Sequence, residues 1–130
     1  MHRSRIGVLL IDHPAGSYDA AAAFWAGVTG TRRSADTTIS DDDPYEPLTP
    51  LPGTVKLELQ RTGAGTPPRL HLDIETDDVP AEVARVEALG ARVATRHEGW
   101  AVMEDPGGMP FCVVPVQTGA DFEVHATTWP

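Results

Sequence analysis

The chain has 130 residues, of which 41% are hydrophobic and 22% are charged, and its formal net charge is −9. This length suits one ordinary globular domain, and the composition is not that of a disordered chain. Because a strongly negative field repels nucleic-acid phosphates and anionic lipid, we expect no partner of either kind. No apolar run approaches the ~18 residues of a spanning helix, and no charged-then-apolar signal opens the sequence. We therefore expect a cytoplasmic location, where the single cysteine, Cys112, stays reduced.

The first half of the chain predicts a strand, a helix and a second strand. The apolar run RIGVLLI at 5–11 is typical of a strand, and residues 17–30 predict a helix that ends at Gly30. Residues 41–53 are rich in proline and acid and predict an exposed loop. The alternation of TVKLELQR at 54–61 predicts the second strand.

The second half repeats this order. The alternating stretch 69–75 predicts a strand, and residues 78–90 predict a helix that ends at Gly90. Strands are then predicted at 91–95 and 110–116, with a third between them. A strand followed by a helix that stops at glycine therefore occurs twice, which indicates an internal repeat.

The strand predicted at 69–75, RLHLDIE, has an imidazole among carboxylates. Its alternation places Leu70, Leu72 and Ile74 on one side and His71 and Asp73 on the other. If the aliphatic side packs under the helix, His71 and Asp73 must line the opposite face.

The duplicated unit, with the strings RLHLDIETDD, EVARVEALGA and GWAVMEDPGGMPFCVV, resembles the glyoxalase/bleomycin-resistance/dioxygenase families, the vicinal oxygen chelate superfamily, and within it the glyoxalase-like domain group. The resemblance covers residues 4–116. It implies an α+β fold in which two tandem βαβββ units form a half-open barrel around a cavity. The implied organisation is a single domain over 1–130, with unit one at about 4–62, unit two at about 68–116 and a C-terminal tail at 117–130.

Metal-dependent members of this superfamily place four ligands on the concave surface, two per unit. The resemblance assigns Glu58 and His71 to two of these positions, while the other two hold Val8 and Cys112. An aliphatic side chain cannot coordinate an ion, so we expect no bound metal and no other cofactor. A divalent ion held through Glu58 and His71 remains the alternative, and a Cys112 thiolate in that set would favour zinc.

The candidate ligand-binding residues are those that the alternation and the resemblance place on the cavity wall: Glu58, Gln60, His71, Asp73, Trp100 and Cys112. Each also has a structural interpretation. His71 then hydrogen-bonds to Asp73 or Glu58 without chemistry, Trp100 fills core space, and Cys112 is an inert buried thiol.

The resemblance leaves two classes of function open. One is a binding protein that sequesters a small cationic or amphipathic molecule in an acidic cavity, as a homodimer. The other is a lyase, isomerase or dioxygenase that uses Glu58 and His71 as an acid/base pair or partial metal site. Glyoxalase I activity itself is disfavoured, because its ion needs a complete ligand set.

Overall fold

The computed structural model describes residues 1–33, 39–51 and 54–130. The fold is α+β, as predicted. In the described part of the chain the elements are, in order, β1 (His2–Pro14), α1 (Ala15–Thr29), β2 (Tyr45–Pro47), β3 (Lys56–Thr62), β4 (Arg69–Thr76), α2 (Val79–Ala88), β5 (Arg92–His97), β6 (Trp100–Glu104), β7 (Pro110–Pro115), α3 (Ala120–His125) and β8 (Thr127–Trp129). No helix in these ranges is long and apolar enough to cross a membrane.

The chain divides into two compact units. The internal unit is Leu9–Leu70, and the terminal unit combines Met1–Val8 with His71–Pro130. The long first strand β1 contributes to both.

The internal unit packs helix α1 against strands in the order β2-β3-β1. Its buried core consists of Ile11, Tyr18, Ala22, Leu48, Leu57 and Leu59. The helix ends at Gly30, as predicted, with the left-handed φ of 71° that favours glycine. Phe24 and Val28, the large apolar pair of this helix, are 62% and 60% exposed, so the smaller Ala22 and Ala26 face the core instead.

One buried carboxylate of the internal unit accepts three hydrogen bonds from two side chains. Glu46 accepts a hydrogen bond of 3.1 Å from the Tyr18 hydroxyl and two from Arg33, at 2.8 and 3.1 Å. Burial, reinforced by the neighbouring Glu46 carboxylate, raises the pKa of Tyr18 above its usual range. Glu46 therefore holds helix α1 and strand β2 together.

The terminal unit contains β4, α2, β5, β6 and β7 in that order, which are the elements predicted for the second half of the sequence. Its strands lie in the order β1-β4-β7-β6-β5, and β8 pairs with β1. Strand β4 runs parallel to β7, while β6 is antiparallel to both β7 and β5. A parallel neighbour requires a crossover connection, which helix α2 and the hairpin β5–β6 supply.

Helix α2 covers one face of this sheet. Its cap is Asp78, whose side chain accepts a hydrogen bond of 3.0 Å from the Ala81 amide. Val83 and Val86 are buried against Ala101, Met103, Phe111 and Val113. Leu89 follows Val86 at the same three-residue spacing. It is the C-cap, one residue beyond the end of the helix, and it is 70% exposed.

The tail folds back onto the rest of the terminal unit. Phe122 of α3 is fully buried. Strand β8 pairs antiparallel with the start of β1, where Trp129 lies opposite His2 and Thr127 opposite Ser4. Both ends of the chain therefore share one sheet edge.

A buried carboxylate on α2 stabilises this edge. Glu82 is fully buried and accepts hydrogen bonds from His2 at 2.7 Å, from Ser4 at 3.1 Å and from Arg85 through two nitrogens at 2.7 Å each. The Arg85 guanidinium in turn lies 4.0 Å from the centre of the Trp129 ring. Burial acts to raise the pKa of Glu82, but the hydrogen bonds from Arg85, His2 and Ser4 outweigh it and keep the pKa below the usual value.

We expect Glu82→Gln to lower the free energy of unfolding by about 3 kcal/mol at pH 7, since it removes the charge that Arg85 and His2 face. A depressed pKa stabilises the fold fully above the unfolded-state value of about 4.3, and this contribution is lost as pH falls through the folded-state value. The gap between parent and variant should therefore shrink on acidification. Urea unfolding at several pH values measures it.

The matched control is Glu87→Gln, an exposed glutamate on the same helix. It should change stability by no more than about 0.5 kcal/mol. A Glu82→Gln variant as stable as this control at pH 7 would contradict the role given to Glu82.

Candidate functional site

Strand β4 separates polar from apolar side chains as its sequence predicts. His71 and Asp73 are each 8% exposed, and Glu75 is fully buried. Ile74 points the other way and packs against the core under α2. The prediction that Leu70 also packs there is wrong, because this residue at the start of the strand is 55% exposed.

The register of β4 with β7 brings Cys112 to the same face. Asp73 lies opposite Cys112, which in turn lies opposite Val102 of β6. Side chains at paired positions point to the same side of a sheet. We call this side, opposite α2 and formed by β4, β7, β6 and β5, the polar face.

Three potential donor atoms lie close together on the polar face. One ligand atom from each of His71, Asp73 and Cys112 lies within 4.8 Å of the other two. His71 Nε2 and Asp73 Oδ1 are 3.5 Å apart. Cys112 is a free thiol that is partly accessible to solvent. We call these three residues the His–Asp–Cys cluster.

An aromatic pair lies on the next two strands. Trp100 of β6 is opposite His97 of β5, and their rings stack with centroids 3.9 Å apart and an interplanar angle of 7°. Trp100 shares the polar face with Val102, two residues along the same strand. Trp100 therefore lies on the polar face, while its strand neighbours Ala101 and Met103 belong to the buried core.

His97 is not among the candidate residues predicted from the sequence, so this pairing was missed. His97 and Trp100 flank the two-residue turn Glu98–Gly99, in which Gly99 has a φ of 82°. A two-residue turn that contains glycine is a hairpin signal, and it places the flanking residues opposite each other. That signal is present in the string RHEGWAV.

Glu75 shares the polar face but is occupied by structural contacts. Its carboxylate accepts hydrogen bonds from the Gln117 amide at 2.6 Å, from the Thr118 amide at 2.9 Å and from the Thr118 hydroxyl. Arg5 approaches it to 3.4 Å. Glu75 therefore anchors the start of the tail and is not a candidate ligand contact.

The predicted site residues of the internal unit lie on β3. Leu57 and Leu59 are buried in the core, so Glu58 and Gln60 point away from it, as their alternation predicts. Gln60 donates a hydrogen bond of 3.3 Å to the Tyr45 hydroxyl on β2. Glu58 and His71 belong to different units, and their cooperation at one site stays a prediction.

The family model for the glyoxalase-like domain matches residues 9–114. The chain belongs to the glyoxalase-like domain family. This confirms the resemblance seen in the sequence, and it is consistent with the vicinal oxygen chelate superfamily. A comparison with curated proteins gives no match.

The side chains of this glyoxalase-like protein do not fit the four-ligand metal set of its superfamily. Val8, at the first of those positions, is 1% exposed and offers only hydrocarbon. Cys112, at the last of them, is a thiol where hard divalent ions prefer oxygen. No chemistry through that ion is therefore assigned to this glyoxalase-like domain.

The position of Glu75 restricts its neighbour on β1. A Cβ atom added to Gly7 would lie 2.6 Å from Glu75 Cδ and 2.7 Å from its Oε1. We expect Gly7→Ala to destabilise the protein by about 1–3 kcal/mol, because the carboxylate would have to leave its donors at residues 117 and 118. Thermal unfolding measures this, and Gly27→Ala is the control.

Gly27 lies in helix α1, and a Cβ there would meet nothing within 4 Å. Its replacement should raise stability by up to about 1 kcal/mol, as alanine favours helix. If Gly7→Ala were also neutral or stabilising, Glu75 would not be fixed as described.

Proposed function

We propose that this glyoxalase-like protein binds a small cationic or amphipathic molecule on the polar face of its terminal unit. The observation that carries the proposal is the grouping of His71, Asp73 and Cys112 on a sheet face that also presents the Trp100–His97 pair. Binding sites for small molecules combine apolar or aromatic walls with a few converging polar groups. Both parts are present on neighbouring strands.

Charge favours a cationic ligand. The chain has a net charge of −9, which concentrates cations near its surface. Asp73 is buried, with 8% of the residue exposed, and electrostatic attraction is stronger there than in bulk water. The face of Trp100 also attracts a cation, by about 0.5–2 kcal/mol.

We also propose the arrangement of the two halves of the chain that the resemblance to the superfamily implies. In that arrangement the halves are tandem βαβββ units of a half-open barrel, and Glu58 and Gln60 contact the same ligand as His71. We further propose that the protein forms a homodimer. Glu58→Gln should then weaken ligand binding although Glu58 lies in the other unit.

The second candidate is proton transfer next to a carbonyl, with His71 as the base and Glu58 as the second group. One observation favours it, because the Asp73 carboxylate lies 3.5 Å from His71 Nε2 and would stabilise an imidazolium. A lyase or isomerase needs such a base, whereas a binding protein does not.

Proflavine, a flat cationic dye, tests the binding proposal. We expect it to bind the parent protein and to quench the fluorescence of Trp100. Trp100→Ala and Asp73→Asn should each weaken binding about tenfold, equivalent to about 1.4 kcal/mol. Isothermal titration calorimetry gives the affinities.

Two controls accompany the dye titration. Anilinonaphthalene sulfonate, an anionic aromatic dye, should bind much more weakly, and Glu87→Gln should bind proflavine like the parent. Equal affinity of proflavine for parent, Trp100→Ala and Asp73→Asn would contradict the proposal.

Dihydroxyacetone in deuterated buffer tests the second candidate. If His71 is a general base, the protein should accelerate deuterium incorporation next to the carbonyl, and His71→Ala should remove the acceleration. Proton NMR follows the exchange. Acceleration that persists in His71→Ala would exclude this residue as the base.

A further inference from the structure

The His–Asp–Cys cluster has the separations of a zinc site. Zinc bonds of about 2.0–2.2 Å to nitrogen and oxygen, at tetrahedral angles, place the two donor atoms about 3.4 Å apart. His71 Nε2 and Asp73 Oδ1 are 3.5 Å apart. This separation exceeds the roughly 2.7–3.2 Å of an ordinary hydrogen bond and equals that of two ligands on one ion.

The third donor is close enough to join them. In a tetrahedral site a zinc-bound sulfur lies about 3.6 Å from a zinc-bound nitrogen. The ligand atom of Cys112 lies within 4.8 Å of those of His71 and Asp73, so a side-chain movement of about 1 Å completes the set. We propose that His71, Asp73 and Cys112 bind a thiophilic divalent cation, Zn²⁺ or Cd²⁺, with water as the fourth ligand.

The donor types decide which metal binds. A thiolate with an imidazole and one carboxylate favours zinc or cadmium over magnesium, calcium or manganese. The metal displaces the proton of the Cys112 thiol into solvent and bonds to the resulting thiolate, so binding releases one proton. The thiolate and the Asp73 carboxylate then balance the two positive charges of the ion.

The proposed set shares the positions of His71 and Cys112 with the one that the superfamily implies. It differs in the remaining donors, because that set draws on Glu58 and on the position of Val8, whereas this one lies within the terminal unit and uses Asp73. From the sequence we expect no metal, because Glu58, His71 and a possible Cys112 thiolate are the donors that the resemblance offers and Asp73 is not among them. The new donor comes from the register that places Asp73 opposite Cys112.

The inference goes beyond the proposed binding of an organic cation and does not rest on it. The two ligands share the surroundings of His71 and Asp73, but only the organic molecule needs the aromatic pair, and only the metal needs the Cys112 thiolate. Variants of Trp100 and Cys112 therefore separate the two activities.

Cobalt is the spectroscopic probe. The reduced protein, without an affinity tag, is stripped with a chelator and titrated with Co²⁺. We expect one equivalent to give a thiolate-to-cobalt charge-transfer band in the near ultraviolet and visible bands of tetrahedral intensity. Zn²⁺ should abolish both, and excess Mg²⁺ should not. A titration with no charge-transfer band would overturn the proposal.

Two nearly isosteric variants assign the ligands. Cys112→Ser should lose the charge-transfer band, and Asp73→Asn should weaken Co²⁺ binding at least about tenfold, the lower end of what loss of an outer-shell partner costs. His125→Ala, an exposed histidine of α3, should bind like the parent. Circular dichroism confirms that each variant folds.

Trp100→Ala distinguishes this inference from the proposed function. It should bind Co²⁺ like the parent while losing affinity for proflavine. Cobalt affinity that is unchanged in both Cys112→Ser and Asp73→Asn would place the ion elsewhere and overturn the assignment, whatever proflavine does.

Discussion

Strands β4 and β7 run parallel, and their hydrogen bonds hold Asp73 level with Cys112. Residues 73 and 112 are far apart in the sequence, so the candidate site depends on this register. A slip of one residue would turn every side chain of β4 to the other face and carry His71 and Asp73 under helix α2. Ile74 prevents such a slip, since its packing against the core under α2 would be lost at the same time.

The buried carboxylates of the terminal unit divide into two groups. Glu75 and Glu82 are fully buried, and backbone amides, hydroxyls, arginines and a histidine satisfy their carboxylates. Asp73 instead lies beside ionisable side chains, with an imidazole at 3.5 Å and a thiol on the next strand. Breaking the hydrogen bonds of a buried carboxylate that has several donors costs much free energy. A carboxylate beside ionisable side chains can more easily replace those contacts with contacts to a ligand. This contrast is why the site is assigned to Asp73.

The elements of the second half of the fold are predictable from the sequence because several local signals agree there. The cap at Asp78, the proline after it and the stop at Gly90 delimit one helix, and strict alternation marks β4. In α1 the run from Ala20 to Val28 is uncharged on all sides, so no periodicity indicates which side is buried. The exposure of Phe24 was therefore not predictable from the pattern.

The candidate site likewise has one part that local sequence signals predict and one part that they do not. Alternation alone predicts that His71 and Asp73 share a face, because it acts between neighbours in the sequence. The contact of that pair with Cys112 depends on strand order and register, which the residues of one strand do not encode. His97 is intermediate, because its hairpin turn is a local signal and was available in the sequence.

The pairing of β8 with the start of β1 also bears on how the protein is made. The terminal unit contains the first eight residues and the last sixty, while Leu9–Leu70 form the internal unit between them. Because the ribosome synthesises the chain from its N-terminus, the internal unit can form its own contacts first. His2 and Ser4 acquire their strand partners only after residues 127–129 have emerged, so the terminal unit closes later than the internal unit. Contacts of such long sequence separation form slowly, and this edge should be the last part of the protein to become native.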